Sequence, residues 1–299
     1  MTRVPRVSIG MPAFNKEATV ARAVESVTGQ TFGDLELIVS DNASTDGTEA
    51  ICRRLAAGDA RIRFTRQAAP ISPFDNFRVV LDAARAPYFM WLPADDYALP
   101  RLLERAVGVL DARPDVVCCV PGVDFLEADG RRWRSSGTFA LTGSLRDNVE
   151  RFLEDPRDNS RFYGLYRRDV VRAVLPRAPY YAFDWALSLA SLAYGNHWEL
   201  DEVLLVREAS DPARYMRLVD ITAAGRADRW LPLWTFTRAV LSGGLGVPRS
   251  ARALLRLARL NAMFHIMYAR HRAPRYGRLV ERVGQRLRHV GGGSSQRRY

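Results

Sequence analysis

The sequence has one lysine, three cysteines and no long apolar run, and each shortage excludes a class of protein. Because Lys16 is the only lysine, arginine carries nearly all of the positive charge. Cys52, Cys118 and Cys119 form neither a disulfide framework nor a metal-ligand spacing, which predicts a reducing, cytoplasmic setting. No apolar stretch approaches the roughly 18 residues of a membrane-spanning helix, and the N-terminus shows no signal-peptide pattern.

Two nucleotide-binding fingerprints are missing as well. Neither the glycine-rich dinucleotide loop nor the Walker loop follows the first predicted strand. Their absence argues against a dehydrogenase and against a P-loop enzyme.

The positive charge is unevenly distributed along the chain. The formal net charge is +11, yet residues 225–299 alone contain 16 arginines and two acidic residues. Such asymmetry favours an anionic partner for the C-terminal part, either a lipid surface, a nucleic acid or a phosphorylated substrate. The alternative is an ordinary solvated arginine face on surface helices.

Strand and helix patterns alternate through the first hundred residues, which predicts an α/β fold with a mostly parallel sheet covered by helices. Apolar runs predict strands at 7–11, 35–40, 62–65, 88–92, 116–120, 162–166 and 203–206. Asp129 and Gly130 predict a hairpin between 123–126 and 131–134. Strand patterns vanish beyond about residue 211, so we expect an α/β domain over 1–212 and a basic, helical extension over 213–299, with a flexible tail from about 290.

The stretch from Tyr88 to Asp96 organises the rest of the chain. Five apolar residues predict a strand that is buried on both faces, and the strand ends at Asp95 and Asp96. Ligands bind at such strand ends in open α/β sheets, and adjacent carboxylates suit a hard divalent cation that also binds substrate phosphates. We therefore predict a metal–diphosphate site here; the alternative is a solvated turn in which either aspartate caps the next helix.

Four segments together resemble the family 2 glycosyltransferases. They read VSIGMPAFNKE at 7–17, QTF at 30–32, ELIVSDNASTDGT at 36–48 and ADD at 94–96. They cover about the first 120 residues in the usual order and spacing. The resemblance implies the GT-A fold, an inverting transfer from a nucleotide-diphospho-sugar, and a divalent metal, Mn²⁺ or Mg²⁺. It also implies that residues 1–120 bind the donor and that 121–212 form the acceptor side.

The same resemblance assigns residues to the donor site. The stretch that walls the base and ribose is matched by Pro12, Ala13, Phe14 and Glu17. Asp41 matches the acid that hydrogen-bonds the base, and Asn42 beside it belongs to the same site. Asp95 matches the first acid of the metal motif, near the ribose, and Asp96 matches the acid that binds the metal. A carboxylate can accept from a base N–H, and an acid pair can hold a metal that bridges the diphosphate.

Inverting transfer also needs a base that removes the proton of the acceptor hydroxyl. The family uses an acid that opens a late helix, which corresponds to Asp184; the alternative role for Asp184 is a simple helix cap. Two positions depart from the family pattern: Pro93 replaces an acid, and Ala209 replaces a histidine, which weakens the expected metal site. The lone His197 is expected to be structural.

The sequence thus predicts a glycosyltransferase that uses a UDP- or TDP-sugar. The expected acceptor is a hydroxyl in bacterial surface polysaccharide or glycolipid assembly, with a lipid-linked acceptor reached through peripheral contact of the basic helices with the inner membrane face. Two alternatives remain open, a soluble natural-product acceptor and a nucleotide-binding member without turnover. Nucleotidyl transfer is disfavoured by Pro12, Ala13 and Phe14, where a glycine-rich basic loop would stand. Nucleic-acid binding is not expected because no recognition motif is present, and a homo-oligomer remains open. Arg207, which follows the last predicted strand at 203–206, is assigned either to phosphate binding or to the surface.

Overall fold

The computed structural model describes residues 3–156, 158–209 and 227–272, and one mixed sheet with helices on its faces dominates this part of the chain. The strands are β1 Val7–Ala13, β2 Leu35–Asp41, β3 Ile62–Arg66, β4 Tyr88–Trp91, β5 Tyr97–Ala98, β6 Val116–Leu126, β7 Arg132–Arg134, β8 Leu165–Arg167 and β9 Asn196–Glu208. The helices are α1 Val20–Thr28, α2 Thr48–Gly58, α3 Pro73–Asp82, α4 Leu102–Ala112, α5 Leu145–Glu154, α6 Arg168–Val174, α7 Phe183–Ser191, α8 Trp234–Leu241 and α9 Ala251–Arg272.

The strand order in the sheet is β3-β2-β1-β4-β8-β6-β9-β5, with β7 paired to β6. The first four strands along this order are parallel, which confirms the fold expected from the alternating pattern. The antiparallel β8 lies between β4 and β6 and joins this parallel half to the pair of β6 and β9, which is again parallel. The chain therefore returns late to complete the sheet beside its central strands.

The predicted central strand has the expected environment. Every residue of β4 is buried, and Trp91 lies face to face with Phe162 at a ring separation of 4.6 Å. The predicted start of α3 is also confirmed, because Ser72 caps it by accepting from the backbone N–H of Asp75, with Pro73 as the first helical residue. The predicted hairpin forms between β6 and β7.

Two predicted strands have different bounds. The segment expected as a strand at 162–166 begins as a 3₁₀ helix, Ser160–Tyr163, and becomes β8 only at Leu165. This helix follows Asn159, whose left-handed backbone ends the preceding loop with a tight turn. The strand expected at 203–206 is the end of the much longer β9, because β9 pairs along nearly all of β6.

The C-terminal helices share a hydrophobic cluster with α5 and α7. The cluster includes Phe152, Trp185, Phe236 and Leu257. Glu150 of α5 holds the start of α9, because its carboxylate accepts a hydrogen bond from the Ser250 hydroxyl at 2.6 Å. The expected domain boundary at 212/213 and the tail from about 290 lie outside the described residues. Within the described residues, no helix is both long and apolar enough to cross a membrane.

Candidate active site at the carboxyl edge of the sheet

The loops that follow β1, β2 and β4 meet at one edge of the sheet. Ala13 and Asp41, the last residues of β1 and β2, are in register, and the backbone N–H of Asn42 donates to Ala13 at 2.8 Å. The turn after β4 is anchored to α1, because Thr19 donates its hydroxyl hydrogen to the Ala94 carbonyl at 2.8 Å. This edge therefore carries the acid pair together with the predicted base- and ribose-binding stretch.

Asp95 forms an ion pair with the single lysine of the chain. The distance from Lys16 Nζ to Asp95 Oδ2 is 2.6 Å, and the two side chains are 23% and 16% exposed. The backbone N–H of Lys16 donates to the Thr48 hydroxyl at 2.7 Å, so the loop after β1 is held against the start of α2. Sequence reasoning assigned no role to Lys16, although a lone lysine in a chain rich in arginine was a visible signal.

Asp96 is buried and has two hydrogen-bond donors. Arg207 Nε lies 3.3 Å from Asp96 Oδ2, and the backbone N–H of Glu208 donates to Oδ1 at 3.0 Å. Burial raises the pKa of the Asp96 carboxyl to about 7; the charge of Arg207 opposes this rise and the charge of Asp95 adds to it. Arg207 is itself buried, with its guanidinium 4.0 Å from the ring centre of Tyr163, so the surface alternative for Arg207 is wrong.

Asp184 is the second residue of α7 and is not its N-cap. Ala182 occupies the N-cap position with a left-handed backbone and makes no side-chain capping bond, so Asp184 is not the N-cap itself, although its carboxylate accepts from the backbone of Trp185 in the first turn. Its role as the base stays a prediction. Asn159 donates to Asp184 Oδ2 at 3.0 Å. Burial raises the pKa of the Asp184 carboxyl, while hydrogen bonds from Asn159 and from the backbone of Trp185 limit the rise.

Hydrogen bonds connect the acid pair to the surroundings of Asp184. Arg207 donates through Nε to Asp96 and through Nη1 to the Ser160 hydroxyl at 3.2 Å. Ser160 directly follows Asn159, whose amide holds Asp184. The buried residues Asn159 and Ser160 thus contact both Arg207, which is bonded to Asp96, and the candidate base Asp184.

Asp158 fastens this segment in place. Its carboxylate accepts from the backbone N–H of Ser160 at 2.9 Å and from the Ser135 hydroxyl at 2.9 Å. Gly137 packs so closely that an added Cβ would lie 2.5 Å from Asp158 Oδ1. Sequence reasoning missed Asp158, Asn159 and Ser160, because three consecutive turn-forming residues between a helix and a strand are typical of an ordinary loop.

The residues predicted to wall the nucleotide differ in how far they are exposed. Pro12 and Ala13 are buried at the end of β1, whereas Phe14 is 47% exposed and can present a ring face to a base. Glu17 accepts from the backbone N–H of Gly47 at 2.7 Å, which ties the loop after β1 to the loop after β2.

Asp41 and Asn42 are more enclosed than the sequence suggested. The Asp41 carboxylate is fully buried and is held by Ser44 and Arg66. The Asn42 side chain accepts from the backbone N–H of Ile71 at 2.8 Å and donates to its carbonyl at 2.9 Å. Both side chains shape the loop, and their direct contact with a base stays a prediction.

His197 is structural, as expected. It is fully buried, with Nε2 2.9 Å from the Ser191 hydroxyl and Nδ1 3.4 Å from Arg161. Burial lowers the pKa of His197 well below its ordinary value, and the charge of Arg161 acts in the same direction. This histidine therefore stays neutral at physiological pH.

The acid pair would hold a divalent cation only together with substrate oxygens. The described residues contain no group of three histidine, cysteine or acidic side chains that could hold a metal alone. Asp95 and Asp96 supply carboxylate oxygens from one turn, and Mg²⁺ or Mn²⁺ commonly combines one or two carboxylates with phosphate oxygens. Ala209, directly after β9, offers no side-chain metal ligand at the position where the family pattern has a histidine.

Comparison with known sequences finds bacterial polysaccharide and glycolipid enzymes. The chain is 34% identical over 108 residues to the GalNAc(5)-diNAcBac-PP-undecaprenol beta-1,3-glucosyltransferase of Campylobacter jejuni, covering 34% of this chain and 35% of the relative. It is 30% identical over 152 residues to the succinoglycan biosynthesis protein ExoO of Rhizobium meliloti, covering 51% of this chain and 43% of the relative. The matched segments therefore span less than half of either relative.

Solved structures share the fold at low sequence identity. Residues 1–349 of Staphylococcus aureus TarS in complex with UDP-GlcNAc superpose with a TM-score of 0.66 over 89% of this chain and 74% of that TarS chain, at 16% identity. The mannosyltransferase PcManGT of Pyrobaculum calidifontis, in complex with GDP-Man and Mn²⁺, gives a TM-score of 0.56 over 98% of this chain and 77% of PcManGT, also at 16% identity. The expected GT-A fold is confirmed by this likeness.

The sequence profile of glycosyl transferase family 2 matches residues 8–175, which is more than half of the chain and includes all of β1 except Val7, the acid pair and β8. With the motifs, the fold and the profile in agreement, this chain is a member of glycosyl transferase family 2.

Proposed function

We propose that the protein is an inverting glycosyltransferase that moves a sugar from a nucleotide-diphospho-sugar to an acceptor hydroxyl. The observation that carries the proposal is the connection between the acid pair and Asp184 through Arg207, Ser160 and Asn159. Such a connection brings the element that would hold the departing diphosphate next to the element that would receive a proton.

Donor binding falls to the edge formed by β1, β2 and β4. Phe14 would cover one face of the base, and Asp95 would lie near the ribose. A divalent cation held by Asp96 and Asp95 would, when bound, neutralise the charge that develops on the leaving diphosphate. Lys16, fixed beside Asp95, adds a positive charge at the same place.

Asp184 would act as the base. As the acceptor oxygen attacks the anomeric carbon, its proton passes to the Asp184 carboxylate, the bond from that carbon to the diphosphate oxygen breaks, and the configuration inverts. Burial raises the pKa of Asp184, which strengthens the carboxylate as a base, while the hydrogen bond from Asn159, backbone hydrogen bonds and the charge of Arg207 limit the rise.

The acceptor we propose is lipid-linked, in the assembly of a surface polysaccharide or glycolipid. The support is the name of the Campylobacter jejuni relative, which contains an undecaprenol diphosphate, together with the charge of α9. This 22-residue helix has no acidic residue, and Arg252, Leu255 and Arg259 are exposed on it. Trp230, whose carbonyl oxygen lies 2.7 Å from Nδ1 of His265 on this helix, is 68% exposed. A basic surface with exposed apolar and aromatic side chains suits peripheral contact with an anionic membrane.

Calorimetric titration of UDP, TDP and GDP, with and without Mn²⁺, tests the donor assignment. We expect wild type to bind UDP or TDP tightly only when metal is present. The Asp96→Asn variant should lose this metal-dependent binding. Asp201→Asn, which changes an exposed aspartate on β9, is the matched control and should bind as wild type does. Binding that is indifferent to metal and to Asp96→Asn would remove Asp96 from the metal site, and no nucleotide binding at all would overturn the transferase proposal.

Vesicle flotation tests the membrane contact separately. We expect the full chain to float with phosphatidylglycerol vesicles and not with phosphatidylcholine vesicles, and Trp230→Ala combined with Arg259→Ala to reduce flotation. Equal behaviour with both lipids, or no effect of the double substitution, would contradict an anionic lipid surface as the partner.

A further inference from the structure

The amide nitrogen of Asn159 makes a hydrogen bond, whereas its amide oxygen makes none within the described residues. Its amide nitrogen donates to Asp184 Oδ2 at 3.0 Å, whereas its amide oxygen is buried and accepts no hydrogen bond within the described residues. Asn159 as a whole is 1% exposed. A buried acceptor without a donor costs about 1–3 kcal/mol, so its position directly beside the candidate base calls for an explanation.

The backbone fixes where this amide can be. Asn159 adopts the left-handed conformation, with φ 45° and ψ 42°. Its N–H donates to the Pro156 carbonyl at 3.1 Å, and its carbonyl accepts from the backbone N–H of Phe162 at 3.0 Å. With both backbone groups held, the freedom that remains is rotation of the side chain, and a half-turn of the amide exchanges nitrogen and oxygen with almost no change of shape.

We propose that Asn159 is a positioning residue that serves both protonation states of Asp184, and the proposal rests on Asp184 being the base. Before transfer, the amide N–H donates to the ionised carboxylate. The proton of the acceptor hydroxyl then moves to Asp184, and the amide turns over so that the new carboxyl O–H donates to Asn159 Oδ1. No further reactant is needed, because the proton that leaves the acceptor is the one that fills the unsatisfied oxygen.

Two other groups influence the charge of Asp184. Tyr180 lies close enough to interact with Asp184, but burial raises the pKa of its hydroxyl, which stays neutral throughout the working range. Arg207 stays protonated and lowers the pKa of Asp184. Neither group changes charge between about pH 4 and pH 9. Asp96, which is bonded to Arg207 and whose pKa is raised to about 7, does change charge in that range, so the titration is compared with that of the Asp96→Asn variant, and a midpoint common to both belongs to Asp184.

Nuclear magnetic resonance of the full chain tests the proposal without a known acceptor. Aspartate labelled at the carboxyl carbon gives the Asp184 titration, with the signal identified by its loss in Asp184→Asn. The Asn159 side-chain NH₂ signal is identified by its loss in Asn159→Asp. In wild type we expect the NH₂ signal to shift with the same pH midpoint as the Asp184 carboxyl; an NH₂ signal that stays constant through that titration overturns the inference.

Two substitutions that suit a left-handed backbone sharpen the test. Asn159→Asp cannot donate to an ionised Asp184, and paired carboxylates share one proton, so the Asp184 midpoint should rise by at least about one pH unit. Asn159→Gly removes the hydrogen bond to the ionised carboxylate and also the proposed one from the protonated carboxyl, and because these losses act on the midpoint in opposite directions, the midpoint should change by less. If Asn159→Asp fails to fold, the titration of the wild-type NH₂ signal still decides the question.

Asn148 provides the matched control. Asn148 lies on α5, and its side chain is also a buried amide. It donates to the Gly143 carbonyl and to Asn196 Oδ1, both at 3.1 Å. Asn148→Asp should lower stability and leave the Asp184 midpoint unchanged. A midpoint in Asn159→Asp that equals the wild-type value overturns the positioning role, while nucleotide binding by the same variant shows that the donor part of the proposed function stands independently.

Discussion

Arg207 Nε lies 3.3 Å from Asp96 Oδ2, and the two side chains are 9% and 5% exposed. A buried carboxylate such as that of Asp96 needs such a cation, since an unpaired charge in an apolar interior is costly. The pair joins the turn after β4 to the end of β9 and so closes the sheet around the candidate site.

Arg207→Met should be strongly destabilising. It leaves Asp96 buried without its counter-charge, which we expect to lower the free energy of unfolding by about 3–5 kcal/mol in urea denaturation. Adding Asp96→Asn should recover part of that loss. Arg78→Met, which breaks an exposed pair with Asp75, is the control and should cost less than about 1 kcal/mol. Equal losses for the buried and exposed arginines would contradict the role assigned to Arg207.

Asp184→Asn should abolish turnover without weakening donor binding. General-base catalysis contributes about 10²–10⁴-fold, so we expect a loss of that order in the slow hydrolysis of a nucleotide sugar by water. Release of the nucleoside diphosphate measures the rate, and calorimetry measures binding. Hydrolysis at the wild-type rate would show that another group takes the proton.

His197 should make stability depend on pH below neutrality. Its pKa in the folded state lies well below the ordinary value of 6.5, so the unfolded state binds the proton more tightly. The stabilisation from His197 is complete above about pH 6.5 and is lost as the pH falls, with a limiting slope of about 1.4 kcal/mol per pH unit. Urea denaturation of wild type and His197→Gln between pH 7.5 and 5.5 measures it; parallel curves would contradict a buried neutral imidazole.

Gly10→Ala should strain the central sheet. A Cβ at Gly10 would lie 2.6 Å from Val80 Cγ2 and 2.9 Å from Phe89 Cζ, so we expect a loss of about 1–3 kcal/mol in thermal or urea unfolding. Val80→Ala makes room, and the double variant should therefore lose less than the sum of the two single variants. Strict additivity would mean that the strand tolerates the methyl group by moving.

The rate at which the Lys16 amine is methylated should report on donor binding. Because Lys16 is the only lysine, reductive methylation followed by peptide mass analysis modifies its side chain and no other lysine. We expect a bound nucleotide to slow this reaction, because the donor would cover the ion pair with Asp95. The N-terminal amine reacts in the same sample and serves as the internal control. A methylation rate that saturating nucleotide leaves unchanged would separate Lys16 from the donor site.

Local pattern accounts for the parts of the site that could be predicted. The apolar run before Asp95 and Asp96 determined β4 and the turn, and the apolar helix after Asp184 determined α7. These features depend on residues close in sequence, where periodicity and turn chemistry are informative.

The remaining parts depend on topology. Arg207 reaches Asp96 only because β9 pairs with β6 and β5, and no local pattern near Arg207 distinguishes it from a surface arginine. Asn159 matters because its loop is folded against α7, so its role became visible only with the contact to Asp184. The same holds for Asp41, whose enclosure by Arg66 and Ser44 arises from β3 and from the loop after β2.

The late return of the chain has a consequence for how the protein becomes active as it folds. The parallel half of the sheet can assemble from the first hundred residues, but the partner of Asp96 arrives 111 residues later in the chain. Closing so long a loop is slow and must precede the contact that rewards it. During synthesis the N-terminal half would therefore exist for some seconds before Arg207 is available to pair with the Asp96 carboxylate. Completion of β9 is then the step that converts a folded scaffold into a working site.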